Sequence, residues 1–338
     1  MNTTIKVAVA ALTGVLALTG CSTSAGGDSA DTVDLVGYSV LEAANEPVFE
    51  DFQNTEEGKD AEFNTSYGAS GDQSRAVESG AAADVVHFSL ETDVTRLVGD
   101  GLVDENWKDT PTKGIATSSV VVFVVRKGNP KNIQGWDDLT KPGVKIITPN
   151  PASSGSAKWN ILAAYGHVLA DGGSETDASA YLTKFFGNVE ALPGSGRDAT
   201  TAFQSGQGDV LLSYENEAIL ARQSGADFDY VVPPETLLIQ NPGAVTTNAS
   251  PAAKKFLTYL TGKEAQTTYA SEGFRPLDDS IKVDVEGAND PSDPFPAPSK
   301  KLLTIDGDFG GWSEANTKFF DENDGLVTKI QKETGKES

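Results

Sequence analysis

Three stretches of the chain place serine and glycine where a strand-like run gives way to a helix-like run. Gly68-Ala69-Ser70-Gly71 follows the run AEFNTSY. Ser153-Ser154-Gly155-Ser156 follows Val144 to Thr148 and precedes a run in which Trp159, Leu162, Ala163 and Gly166 recur at spacings of three and four. Gly194-Ser195-Gly196 follows VEAL. Serine is a favoured helix N-cap, and glycine lets backbone approach a ligand closely. The first turn of a helix carries N–H groups with no partner in the helix, together with a partial positive charge. One such joint is an ordinary turn. Three suggest sets of N–H and O–H donors that could converge on an anion, and only a fold can make them converge.

Other chemistry has little material. The single cysteine, Cys21, allows neither an internal disulfide nor a zinc site, and the only histidines are His87 and His167. His87 stands in the apolar run VVHFSL and reads as packing, as does His167 behind the Trp159 run. No catalytic, metal or cofactor site is expected. A serine hydrolase using Ser154 or Ser195 is the rival from another class, but neither serine lies in a G-x-S-x-G elbow. The formal net charge of −23 argues against nucleic acid and anionic membrane surfaces as partners. It does not argue against a small anion held by neutral dipoles.

The elements that must position the joints alternate. Strands are expected at Thr32 to Val40, 61–67, Ala83 to Phe88, Ser118 to Arg126, 144–148, 189–192, Asp209 to Tyr214, Tyr230 to Val232 and Gly243 to Thr247. Helices are expected from Asn45, as a cap, to Phe52, with Pro47 in the first turn. Others follow Ser70, span Glu91 to Leu97 and Trp136 to Leu139, follow Ser154, span Thr176 to Phe186, follow Gly196, and span Glu215 to Gln223. Pro251 to Ala270 reads as one amphipathic helix, and a last helix runs to about Ile330. This β-α alternation favours parallel sheets flanked by helices, with a change of unit near Ser118.

Residues 1–20 read as a signal peptide: Lys6, then an apolar run from Val7 to Leu18 too short to span a membrane. The ending Leu18-Thr19-Gly20-Cys21 resembles the lipobox of bacterial lipoproteins, which makes Cys21 the lipidated residue and 21–31 a flexible tether.

Over residues 33–330 the chain resembles the sulfate-binding and thiosulfate-binding proteins of ABC importers. The resemblance is carried by VVFVVRKGNPKNIQGWDDL, KPGVKIITPNPASSGSAKWNILAAYG, GDVLLSYENEA and LLTIDGDFGGW. It implies an α/β, two-lobed periplasmic-binding-protein fold of type II. Lobe one would be 32–118 plus 244–338 and lobe two 119–243, each a mostly parallel sheet, with two crossing strands as hinge. It implies ligand donors at Ser70, Ser154, Gly155, Ser156, Gly196 and Tyr214, the last standing where the family has tryptophan. The family's cleft aspartate falls on Ser39, which leaves that contact open. Lys158, Arg197 and Asp93 match positions that support the site from behind. The implied function is capture of sulfate, with thiosulfate or molybdate as alternatives, by an extracytoplasmic, lipid-anchored monomer that delivers it to the membrane subunits of an importer.

Overall fold

The structure is a computed structural model that describes residues 31–337. The expected signal peptide, Cys21 and the tether as far as residue 30 lie outside the described residues. The chain opens with strand β1 (Thr32–Tyr38), helix α1 (Leu41–Gln53), β2 (Glu62–Gly68), α2 (Ser70–Glu78), β3 (Val85–His87) and α3 (Glu91–Gly99). β1 pairs in parallel with both β2 and β3. The long strand β4 (Ile115–Arg126) leads to α4 (Trp136–Leu139), β5 (Ile146–Ile147), α5 (Gly155–Ala170), α6 (Glu175–Asn188), β6 (Val189–Ala191), α7 (Gly196–Gln204), β7 (Val210–Tyr214), α8 (Glu215–Gln223) and β8 (Phe228–Val231). Here β5 pairs in parallel with β6 and β7. The chain returns along β9 (Glu235–Val245) and ends in α9 (Pro251–Leu260), α10 (Lys263–Ser271), β10 (Lys301–Leu303), α11 (Ile305–Phe309), α12 (Trp312–Phe320) and α13 (Leu326–Thr334).

The strands form the order β2-β1-β3-β9-β4-β7-β5-β6, with β10 beside β9 and β8 beside β4. The two parallel sets are joined by β4 and β9, which pair antiparallel with each other. Within each parallel set the carboxyl ends lie on one edge, where ligands of open α/β sheets bind. The joints after β1, β2 and β3 therefore stand together, as do those after β5, β6 and β7.

Residues 120–125 of β4 are buried on both faces. Val121, Phe123 and Val125 enter the main core with Trp136, Ile146 and Leu212, while Val120, Val122 and Val124 enter a second cluster with Phe203, Ile219 and Phe228. This explains why the strand reads as an unbroken apolar run.

Four expectations need correction. Helix α1 begins at Leu41, so Asn45 is no cap: its buried amide donates to the Tyr67 hydroxyl at 2.8 Å and accepts from Tyr269 at 2.7 Å. Strand β9 starts at Glu235, eight residues before the expected Gly243, because ETLLIQN pairs along β4. The expected helix Pro251 to Ala270 is broken at Thr261-Gly262, where the buried Gln266 side chain donates to the Leu260 carbonyl at 2.8 Å. The last helix is two, parted by a turn in which Asp321 Oδ1 accepts from the N–H groups of Asn323 and Asp324. Much of the C-terminal run packs on α5 and α6. Trp312 meets Trp159 and Phe319 meets Tyr165, each edge to face at 4.7 Å. Lys318 pairs with Glu175, and β10 pairs in parallel beside β9.

Candidate functional site

The joint after β2 opens α2 at Ser70, which is buried beneath β3 and α3. Its hydroxyl donates to Asp93 Oδ2 at 2.7 Å and accepts from the Ser89 N–H at 2.9 Å. The Ser70 side chain is thus committed, and the donor it can offer a ligand is its backbone N–H at the start of α2. Gly71 N–H donates to the Ser153 carbonyl at 3.0 Å, which ties this joint to the one before α5.

Ser154 occupies the N-cap of α5 but makes no capping bond with its side chain, and it is 3 % exposed. A buried N-cap serine that does not cap keeps its hydroxyl for something else. Gly155 and Ser156 follow as the first two residues of the helix, whose N–H groups have no acceptor within it. Gly155 is required by space rather than by backbone angle: a Cβ built there would lie 2.4 Å from Ser89 Oγ and 2.8 Å from Leu90 Cγ.

The third joint is held differently. Ser195 caps α7 through Asp198 N–H at 3.1 Å, so this serine is structural. Gly196 opens the helix with its Cα beside Val40 and Ser156; a Cβ there would lie 3.3 Å from Val40 Cγ2 and 3.5 Å from Ser156 Oγ. Ser39 reaches the same place from the end of β1, its Oγ accepting from the Arg197 N–H at 3.4 Å while its own N–H donates to Gly68. Tyr214, fully buried at the end of β7, brings its hydroxyl to 2.7 Å from Ser89 Oγ.

Ser70, Ser154, Gly155, Ser156, Gly196, Tyr214 and Ser39 are therefore gathered at one place where six strand ends meet. Two residues with a role there were not singled out from the sequence. Ser89 links Ser70 and Tyr214. Asn241 on β9 accepts from the Tyr38 hydroxyl at 2.9 Å and donates to the Ser89 carbonyl at 3.1 Å. Phe88-Ser89-Leu90-Glu91 is a fourth strand-to-helix joint, missed because it contains no glycine.

The charged groups stand behind the donors. Asp93, under Ser70, has its carboxyl raised by burial, against the Ser70 bond and the nearby Lys158 and Arg96. The Lys158 ammonium is lowered by burial and points outward, donating to Asn316 at 2.8 Å and lying over the Phe320 ring. Arg197 sits 3.2 Å from the buried Glu217, whose carboxyl is raised by burial and opposed by that guanidinium. Burial also raises the Tyr214 phenol, so it keeps its proton at neutral pH. A cavity of about 890 Å³ lies outside this cluster, between α3, α5, α12 and α13.

A nucleophilic serine would need a base. His87 bonds Thr117 at 3.1 Å and His167 bonds the Ala164 carbonyl at 2.7 Å, both inside packed regions. Among the described residues no cluster of three His, Cys, Asp or Glu side chains could hold a metal ion. No helix among them is long and apolar enough to cross a membrane.

Residues 33–275 match the family of bacterial extracellular solute-binding proteins. A sulfate-binding protein of Synechococcus elongatus is 40% identical over 92% of this chain and 89% of its own length. A thiosulfate-binding protein of Pseudomonas aeruginosa is 35% identical over 81% of this chain and 84% of its own. The solved structure of the sulfate-binding protein SubI from Mycobacterium tuberculosis superposes with a TM-score of 0.80 at 44% identity, covering 86% of this chain and 99% of that one. The chain thus belongs to the bacterial extracellular solute-binding protein family, beside its sulfate- and thiosulfate-binding members, and has their type II periplasmic-binding-protein fold.

Proposed function

We propose that this protein is the sulfate receptor of an ABC importer, working outside the cytoplasm. The observation that carries the reading is the meeting of three helix N-termini, at Ser70, Gly155 and Gly196, with the Ser154 and Tyr214 hydroxyls at one buried place. Sulfate near neutral pH accepts hydrogen bonds and has none to give. A shell of neutral donors matches it. Burying a dianion costs tens of kcal/mol by Born estimates. Several charge-assisted bonds, each worth about 1.5–3 kcal/mol, and the helix ends offset that cost. Thiosulfate is the second reading, supported by the 35% identical relative of that name.

In this reading the ligand lies between two lobes built on the two parallel strand sets. Residues 32–118 with α9 and α10 form one and 119–243 the other; the C-terminal run, packed on α5 and α6, moves with the second. β4 and β9 serve as the hinge. The receptor acts as a monomer, held at the membrane by lipid on Cys21 and a tether to residue 31, and it returns its ligand unchanged to the importer's membrane subunits.

Isothermal titration of residues 32–338 with sulfate, thiosulfate, molybdate and phosphate tests the proposal. Sulfate should bind in a one-to-one complex, and phosphate weakly or not at all. A protonated phosphate oxygen set against a donor leaves one polar group unpaired, at about 1–3 kcal/mol, or tenfold and more. Phosphate binding as tight as sulfate would overturn the donor-only site.

A further inference from the structure

Ser89 is 1 % exposed and joined to four different elements. Its N–H donates to Ser70 Oγ on α2 at 2.9 Å. Its carbonyl accepts from Trp159 Nε1 on α5 at 3.0 Å and from Asn241 Nδ2 on β9 at 3.1 Å. Its Oγ lies 2.7 Å from the Tyr214 hydroxyl at the end of β7. Two of these partners, Trp159 and Tyr214, belong to the half of the sheet that contains β5, β6 and β7. Ser89 belongs to the other half. Among the described residues, no second serine of the cluster makes as many bonds across the two halves.

The bond between Ser89 and Tyr214 has a direction that the ligand settles. Either oxygen could donate. A dianion accepts only, so a Tyr214 that donates to it must accept the hydrogen bond from Ser89 rather than donate to it. Burial holds the phenol neutral, so its proton is available to donate. A hydroxyl that accepts one bond also donates the next more strongly.

Resting on the sulfate-receptor reading, we infer that Ser89 is the positioning residue that orients the Tyr214 hydroxyl toward the anion and latches the two halves once the anion is in. It touches the ligand through Tyr214, and its hydroxyl proton is spent on that contact. The latch acts after encounter, so it governs release rather than capture.

The test is stopped-flow binding of sulfate, read by tryptophan fluorescence, with wild type, Ser89→Ala, Tyr214→Phe and the double variant. Ser89→Ala keeps the backbone contacts to Ser70, Trp159 and Asn241. It should raise the dissociation rate roughly tenfold, about what an unpaired buried hydroxyl costs, and leave the association rate within twofold. Tyr214→Phe should do the same, and the double variant should be no more than about threefold worse than either, because both remove one linked pair. Unchanged release in Ser89→Ala, losses that multiply to roughly a hundredfold, or a loss confined to association would overturn the inference. Tyr214→Phe gives an independent reading that leaves Ser89 in place. A wild-type protein that bound no sulfate would instead sink the parent reading, so the two failures are distinguishable.

Discussion

Gly155→Ala isolates the closest approach in the site. A methyl there would stand 2.4 Å from Ser89 Oγ, 2.6 Å from Ser89 Cβ and 2.8 Å from Leu90 Cγ. The hydroxyl can rotate away, but the Cβ and the Leu90 branch cannot. Relief to ordinary contact therefore needs the start of α5 to part from Ser89-Leu90 by up to about 1 Å, the kind of overpacking that costs about 1–3 kcal/mol. The cost falls on the closed arrangement, because the two sides of the contact belong to different halves of the sheet. Sulfate affinity should drop by roughly 5- to 150-fold. Stability of the unliganded protein in urea should change by less than about 0.5 kcal/mol, since an open form relieves the contact. Gly196→Ala is the control: its methyl meets nothing nearer than 3.3 Å, so affinity should hold within about threefold. Calorimetry on the two variants checks both. Should Gly155→Ala bind sulfate within threefold of wild type, the close approach would have no role in binding. Should it lose stability and keep affinity, the contact would be permanent rather than made on closure.

Other outcomes follow from the same geometry. Ser154→Ala should weaken sulfate binding about tenfold and leave the thermal midpoint unmoved, because the hydroxyl does not cap α5; Ser195→Ala should cost about 1 kcal/mol of stability and leave affinity alone, because it caps α7. Burial lowers His87 to about 3 and His167 to about 4. Their neutral forms favour the folded state above about pH 6.5, and that stability is lost as pH falls toward the folded values, by roughly 2 kcal/mol per histidine at pH 5. Asp93, Glu215 and Glu217, raised by burial, pull the other way. The quantity to measure is therefore the pH slope of urea stability in His87→Gln against wild type, and the variant's slope should be the shallower in acid. Sulfate affinity should stay flat between about pH 5 and 8, since the donors proposed for the ligand do not titrate there. Cys21→Ser should abolish incorporation of labelled fatty acid, and labelled Cys21→Ser protein would remove the lipobox reading.

Much of this protein was legible in its sequence because local chemistry decides it. The joints at Ser70, Ser154 and Gly196 open helices where small residues predict they should, since capping and backbone freedom act within a few residues. The two-sided apolar run of β4 likewise announces a buried strand. The sequence also misled where distant partners overrule local preference. Asn45, a good cap by type, is drawn into the core by the hydroxyls of Tyr67 and Tyr269, 22 and 224 residues away. The strand at Glu235 became visible only through its pairing with β4. Which atom of Ser70 remains unbonded depends on Asp93 and Ser89, whose bonds take up the hydroxyl, and no local feature of the sequence announces them. Ser89 itself carries no local mark. Its place in the site comes from four bonds to elements spread over more than 170 residues of chain, and hydrogen bonds across such distances exist only once the two halves of the sheet are assembled.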